Sequence, residues 1–367
     1  MISYVIPTRN RREVLNHTLN ALAALPQHTA EVIIVDNASD QPVTHNRELA
    51  NGLALRIIRS ESNLGAAARN IGVLHADTAS KWIVMLDDDS APEAASGDIS
   101  FIDRLRNQAA DVGAVLADIH LPRQGRREDG GLPEVFIGCG VAIRRDAFLS
   151  CGGYDPAFGY YAEEYDLAAK LMLSGYRMVF DAAWRIDHQK DASNRNIALI
   201  VERLTRNNGW VMQRYAPEHE RRARLREIRK RYRMIAGKEA VRDAYARGLV
   251  ELRRTVRQQV RREMPRDVFD RFTGLAAMRK GLEHASRGRM IRTFQIVAEG
   301  KNCWAARQAA LERGWREVPA RSIDADVQVI GTLSPGPMID AMERYPAAVG
   351  AAVGASSVPA LQSKAAA

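Results

Sequence analysis

The run Trp82-Ile83-Val84-Met85-Leu86-Asp87-Asp88-Asp89 decides the fold, because an unbroken apolar stretch ends in three carboxylates. An apolar run of this length reads as a strand buried on both faces, as in a parallel sheet. Similar runs precede it at residues 2–6, 31–35 and 54–58. Between the first two, Val14, Leu15, Leu19, Leu22 and Leu25 recur at helical spacing, and residues 66–75 form a compact helical stretch after Gly65. This β-α-β-α order predicts an α/β fold, a mostly parallel sheet with helices on both faces. Ligands in such sheets gather beyond the carboxyl ends of the strands. The residues just after each run therefore carry the functional signal.

Downstream the pattern is mixed. Residues 112–117, 140–143, 177–180 and 183–186 read as strands, and 163–174 as a helix. Residues 123–131 read as a polar, Gly-rich loop able to close over a substrate. A helix over 196–215 ends the first domain, residues 1–215. A basic, mostly helical region follows over 216–300. Residues 301–346 form a small strand–loop–helix unit, and the Ala-rich residues 347–367 a fraying tail.

Composition narrows the class. The 367 residues are 46% hydrophobic and 26% charged, which excludes a disordered or collagen-like chain. No apolar run reaches the roughly 18 residues of a spanning helix. A strand starting beside Met1 leaves no room for a signal peptide. Cys139, Cys151 and Cys303 show no metal-binding or redox spacing, so the expectation is a cytoplasmic protein with reduced thiols. The net charge of +9 is unevenly spread. Residues 1–215 hold 23 Lys/Arg against 27 Asp/Glu, whereas residues 216–300 hold 23 against 11. The positive excess sits in one segment.

Five constellations can carry chemistry. Asp87-Asp88-Asp89 repel one another, and a cation is the natural compensation. In extended geometry Asp87 and Asp89 project to the same side, about 6–7 Å apart, and hard oxygen donors favour Mg²⁺ or Mn²⁺. A solvated acidic turn is an even alternative. Pro7-Thr8-Arg9-Asn10 and Asp36-Asn37 follow the first two strands, where a carboxylate can receive a ribose or base. Asp36-Asn37 reads equally as a plain turn or helix cap. No Gly-x-Gly-x-x-Gly follows the first strand, which disfavours a nicotinamide cofactor. In the stretch Asn63 to Asn70, Arg69 has the planar fork that suits a diphosphate, and an ordinary solvent-facing helical Arg competes with it. Glu163-Glu164-Tyr165-Asp166 opens a helix, where acidic residues also suit the macrodipole. A carboxylate there can act as a general base. His188 follows the last strand and is by itself more often structural than a ligand.

Together these residues resemble the family 2 glycosyltransferases, which have the GT-A fold. The blocks that carry the resemblance occur in order. They are Val5-Ile6-Pro7-Thr8-Arg9-Asn10, Ile33 to Ser39, Asn63 to Gly72, Leu86-Asp87-Asp88-Asp89, then Gly138-Cys139-Gly140 with Gly152-Gly153-Tyr154, and Glu163 to Leu167. The match covers residues 1–215, with a weaker similarity to rhamnosyl- and galactosyl-type members. Many members carry Glu-Asp where this chain has Glu163-Glu164.

The resemblance implies a metal-dependent, inverting transferase using a UDP- or dTDP-linked sugar. Pro7, Thr8, Arg9, Asp36, Asn37 and Asn63 would hold the nucleotide, Arg69 the diphosphate, and Asp88 the ribose or phosphate. Asp89 would hold the Mn²⁺ or Mg²⁺ ion, with Asp87 and His188 as further ligands. Glu164 would be the base, with Glu163 as its substitute. The acceptor would be a saccharide or lipid-linked hydroxyl in cell-envelope polysaccharide synthesis. The basic segment, with Arg221-Arg222, Arg253-Arg254 and Arg261-Arg262, then fits a peripheral contact with an anionic membrane. Few aromatics interleave with these arginines, which disfavours nucleic acid. The alternative is a nucleic-acid- or membrane-binding protein with a catalytically silent GT-A domain.

Overall fold

A computed structural model describes residues 1–93, 97–190, 196–319 and 325–353. Of the tail expected over 347–367, residues 354–367 lie outside the described part. The first half alternates as its hydrophobic runs require: β1 (Ile2–Thr8), α1 (Arg12–Ala23), β2 (Ala30–Asp36), β3 (Ala54–Arg59), α2 (Ala68–His75) and β4 (Trp82–Met85). Strands β1–β4 pair in parallel, in the order β3-β2-β1-β4. Alternation along each strand divides two cores. Ile2, Tyr4, Ile6, Val32, Ile34, Trp82 and Val84 pack with α1 on one face, while Val5, Ile33, Ile83 and Met85 join the larger core on the other. Both faces of β1, β2 and β4 are thus buried, which is why these strands are mostly apolar, and the buried Ser3 and Glu31 are paired with each other at 2.7 Å.

The second half completes the sheet with mixed pairing. It contributes β5 (Ser90–Pro92), α3 (Phe101–Arg106), β6 (Val112–Leu121), β7 (Arg126–Arg127), β8 (Val141–Arg144), α4 (Arg145–Ser150), α5 (Glu163–Leu173) and β9 (Arg177–His188). Strand β8 runs antiparallel between β4 and β6, and β9 lies parallel to β6. Among the described residues the sheet has nine strands. The two separate strands expected over 177–180 and 183–186 are one continuous strand, bent by an irregularity opposite Ala117 and Asp118. Continuity carries His188 to the strand end, where it pairs with Ser90 of β5, one residue beyond the acidic triplet.

The triplet itself is not extended. Ser90 N–H donates to the Asp87 carbonyl at 3.2 Å, and Asp87 N–H donates to Ser90 Oγ at 2.8 Å. A tight turn over the triplet results. Within the loop expected over 123–131, Arg126–Arg127 pair with β6 as β7, Arg127 bonds Asp118 at 3.1 Å and Asp340 at 2.6 Å, and Glu128 is buried against His188 at the end of β9.

Five helices follow: α6 (Ile197–Tyr215), α7 (Glu218–Lys238), α8 (Arg242–Thr255), α9 (Arg266–Thr273) and α10 (Leu275–Ser286). Then β10 (Thr293–Val297), α11 (Cys303–Glu312), β11 (Arg316–Glu317), β12 (Val327–Ile330) and α12 (Pro335–Arg344) build a small parallel sheet in the order β11-β10-β12. Strand β10 comes from the segment expected to be helical. Many arginines of that segment are paired with carboxylates, among them Arg224–Glu220, Arg261–Glu263, Arg271–Glu134 and Arg279–Asp270.

Helices α6 and α8 approach closely because glycine faces the partner on both. A Cβ at Gly209 would meet Leu252 at 2.5 Å, and a Cβ at Gly248 would run into the Glu202 carbonyl. Gly248→Ala gains up to about 1 kcal/mol of helix propensity. The methyl must displace backbone, and overpacking of this kind costs about 1–3 kcal/mol or more. The expected net result is a urea midpoint lowered by the equivalent of about 1–2 kcal/mol. An unchanged midpoint would show that α6 and α8 can separate freely.

Candidate functional site

A cleft of about 550 Å³ opens where the acidic turn, the Gly138-Cys139-Gly140 segment, the start of α5 and the end of β9 converge. Arg11, Arg69, Asp87, Asp89, Glu163, Glu164 and His188 all line it. On one side, two arginines neutralise the triplet, Asp88 and Asp89 sharing one of them. The Arg11 guanidinium donates to Asp88 at 2.5 Å and to Asp89 at 2.8 Å. Arg69, buried at 4% exposure, pairs with Asp87. Thr8 Oγ1–H donates to Asp88 at 2.7 Å, tying the end of β1 to the triplet. Burial raises the Asp88 carboxyl to about 7, although Arg11 and Thr8 oppose the rise. Asp89 is held well below the usual carboxylate range, because His188 and Arg11 outweigh its burial.

His188 sits between two carboxylates. Its Nε2 lies 3.2 Å from Asp89, and its Nδ1–H donates to Glu128 at 3.0 Å. Burial opposes its charge, but the carboxylates of Asp89 and Glu128 more than compensate and raise its pKa. Lys190 donates to the other Glu128 oxygen at 2.7 Å.

This donor set fits a divalent cation. A carboxylate that orients the far nitrogen of a ligating histidine is a recurrent second layer of metal sites. Asp87, Cys139 and His188 each present a ligand atom within 4.8 Å of the other two. The Cys139 thiol is pushed up by burial, which leaves it protonated and unsuited to a hard ion. Asp89 and His188, with Asp87 near by, are the residues that would hold Mn²⁺ or Mg²⁺. His188 would have to release its Nε2 proton first.

The expected nucleotide residues cluster at the carboxyl ends of β1 and β2, beside the cleft instead of lining it. Pro7 lies opposite Val35 near the end of β1, and Thr8 ends the strand opposite Asp36. Arg9 is exposed and donates to the Ala38 carbonyl at 3.3 Å. Asp36 is buried, and its oxygens accept from Ser39 N–H, Val43 N–H and Arg59, which together hold its pKa down against burial. Asn37 bridges to Asn63 and to the Gly65 carbonyl, both at 3.1 Å. Asp36 and Asn37 thus shape the turns, and Asn63 is exposed at the rim.

Across the cleft, α5 begins from an unusual turn. Tyr161 and Ala162 both have positive φ, 74° and 66°, a region that side chains with a Cβ rarely occupy. Asn207 of α6 holds that turn. Its buried amide donates to the carbonyls of Phe158 and Tyr160, both at 3.1 Å, and of Tyr161 at 2.6 Å. The turn delivers Glu163 and Glu164 to the cleft. Glu163 is buried, and one of its oxygens has no hydrogen-bond partner. Glu164 is half-buried and accepts weakly from Gly138 N–H at 3.4 Å. Burial raises both carboxyls, and for Glu163 the neighbouring Glu164 raises it further.

Sequence reasoning missed Arg11, Glu128, Lys190 and Asn207. Only Arg11 had a local signal, since it follows the turn after β1. It also missed two cations from the second half of the chain, Arg231 of α7 and Lys301, which line the same cleft.

Residues 3–112 match the family model "Glycosyl transferase family 2". An uncharacterized glycosyltransferase of Haemophilus influenzae is 27% identical over 193 residues, covering 47% of this chain and 62% of that protein. The galactofuranosyltransferase GlfT1 of Mycolicibacterium smegmatis is 34% identical over 96 residues, covering 25% and 31%. The chain therefore spans under two thirds of the length of either relative. Among solved structures, the Pyrobaculum calidifontis mannosyltransferase PcManGT, in complex with GDP-Man and Mn²⁺, aligns over 85% of this chain and 86% of its own. Its identity is 15% and its TM-score 0.47. S. aureus TarS 1–349 with UDP-GlcNAc aligns over 86% and 92%, at 17% identity and a TM-score of 0.48. Among the described residues no helix is long and apolar enough to cross a membrane.

The raised Glu163 carboxyl has a consequence for stability. A folded state that keeps a proton the unfolded chain releases loses stability as pH rises above the unfolded value, up to the folded one. Glutamine has no proton to lose. Metal-free Glu163→Gln should therefore melt above the unsubstituted chain at pH 8, with the gap closing towards pH 4. A gap independent of pH, or a lower melting temperature at pH 8, would contradict the burial of this carboxyl.

Proposed function

We propose that this chain, which belongs to glycosyl transferase family 2, transfers a sugar from a nucleotide-diphosphate donor to an acceptor hydroxyl with inversion at the anomeric carbon. The observation that carries this reading is the two-sided cleft. Triplet carboxylates neutralised by Arg11 and Arg69 stand on one wall, and the raised carboxyls of Glu163 and Glu164 on the other.

A UDP- or dTDP-linked donor would rest its nucleotide against the turns after β1 and β2. Thr8, Arg9 and Asn63 border that seat, and Asp36 with Asn37 keeps its walls in shape. Asp88 would meet the ribose or a phosphate, and Arg69 and Arg11 would face the diphosphate as planar forks. Asp89 and His188, with Asp87 near by, would hold a divalent cation, which when bound would supply positive charge against the departing diphosphate.

Glu164 would accept the proton of the attacking hydroxyl. It is the half-buried member of the pair, reachable from the cleft, and Gly138 leaves room for its carboxyl, since a Cβ there would lie 3.3 Å from Oε1. A raised pKa suits a base, because it makes the carboxylate a stronger proton acceptor. Glu163 is more deeply buried and would orient Glu164 or contact acceptor hydroxyls. The acceptor is a saccharide or a lipid-linked hydroxyl.

Nucleotide-sugar turnover in the presence of candidate acceptors tests the reading. Activity should vanish with chelator and return with Mn²⁺ or Mg²⁺. Glu164→Gln should lower turnover by roughly 10²–10⁴-fold with donor affinity near that of the unsubstituted chain. Glu163→Gln should raise acceptor KM more than it lowers turnover. The reverse pattern would make Glu163 the base, and full activity in chelator would remove the metal from the account.

A further inference from the structure

The cations that line the cleft are not alike. Arg11 is bonded to Asp88 and Asp89, Arg69 to Asp87, and Lys190 to Glu128. Arg231 and Lys301 have no such carboxylate. The Arg231 guanidinium, half-buried on α7, has no hydrogen-bond or ion-pair partner among the described residues. The Lys301 ammonium donates to the Gly130 carbonyl and lies 4.4 Å over the Tyr165 ring. Burial and the charge of Arg231 push it down to about 8, against the pull of Asp129 and Glu164. The two cations are therefore close enough to repel each other, and both line the one cleft.

Two cations crowded together in a partly buried wall are costly unless an anion joins them. Asp129 is exposed and makes no ion pair with either. We propose that Arg231 and Lys301 seat a phosphate group carried by the acceptor. A guanidinium offers a planar fork and an ammonium a rotatable point charge, a pairing suited to a tetrahedral anion. A neutral acceptor would leave the Arg231 guanidinium without a counter-charge. Tyr160 and Tyr161, in the same cleft, supply flat faces for the sugar or chain that bears the phosphate. This inference rests on the transfer reading above and names the acceptor's chemical class. The phosphate belongs either to a lipid-linked acceptor or to a soluble sugar phosphate.

The test uses the full chain saturated with UDP and Mn²⁺, so that the donor seat is filled. Methyl phosphate is titrated in by calorimetry, and phosphatidylcholine vesicles with and without a polyprenyl phosphate are floated with the protein. Methyl phosphate should bind, and Arg231→Gln and Lys301→Met should each weaken it about tenfold or more, the worth of a charge-assisted hydrogen bond. Arg226→Gln, an exposed change of equal charge on α7, should leave the affinity unaltered. Retention on polyprenyl phosphate vesicles that Arg231→Gln abolishes assigns the phosphate to a lipid. Methyl phosphate binding without such retention assigns it to a soluble acceptor.

Equal affinity in all variants, or no binding, overturns the proposal. So does methyl phosphate binding that appears only without UDP, which would give the cations to the donor. Lys301→Met removes a packed side chain, but Arg231→Gln changes a side chain with no partner and keeps the test decisive. Nucleotide-sugar hydrolysis by the unsubstituted chain is followed in parallel. Its absence would sink the transfer reading, whereas hydrolysis without phosphate binding would sink only this inference.

Discussion

Arg69 is the charge around which the cleft is organised. It is 4% exposed, pairs with Asp87, and its field reaches Glu163 and Glu164 across the cleft. A buried guanidinium is tolerable only with carboxylates close by, and those carboxylates would repel one another without it. Several features of the fold serve to place it. Helix α2 lies so close to β1 and β2 that a Cβ at Gly72 would run into Val5 and lie 3.2 Å from Val35. Gly138 lacks the Cβ that would crowd Arg69 at 3.6 Å and Glu164 at 3.3 Å. The Ala66 N–H donates to the Gly159 carbonyl at 2.8 Å, so the start of α2 is joined to the turn that carries the opposite wall.

That opposite wall depends on the helices of the second half. Two consecutive residues with positive φ persist only where the surroundings over-determine them. Asn207 supplies that constraint with three hydrogen bonds, and Arg206 adds a fourth, to the Phe158 carbonyl at 3.2 Å. Further along α6, Arg214 bonds both Asp155 and Asp166 at 2.8 Å, and Tyr215 bonds Asp166 at 2.7 Å. Helix α6 is in turn packed against α8 through Gly209 and Gly248. The helical region therefore buttresses the site, and α7 also sends Arg231 into it.

Much of this was legible in the sequence where the signal is local. The runs at β1, β2, β3 and β4 announce buried parallel strands, and the polar residues after them mark the carboxyl ends. Glu163, Glu164, Asp87, Asp89 and His188 line one cleft. What the sequence hides is long-range. Glu128 looks like one charge in a polar loop, yet strand β9 brings His188 and Lys190 to it. The extended geometry expected for Asp87 and Asp89 fails because Ser90 closes a turn over the triplet. Arg231 is one arginine among many on a basic helix, and only the three-dimensional packing separates it from its paired neighbours. Helices α3 and α4 are six residues each, too short for periodicity to reveal.

The central claim is that the acidic turn and His188 form the metal and diphosphate end of a donor site. Diffraction from crystals grown with UDP and Mn²⁺, recorded at the manganese absorption edge, tests it most directly. The account predicts an anomalous peak on Asp89 and His188, with the nucleotide against the turns after β1 and β2. Manganese bound elsewhere, or a nucleotide seated outside this cleft, would contradict it.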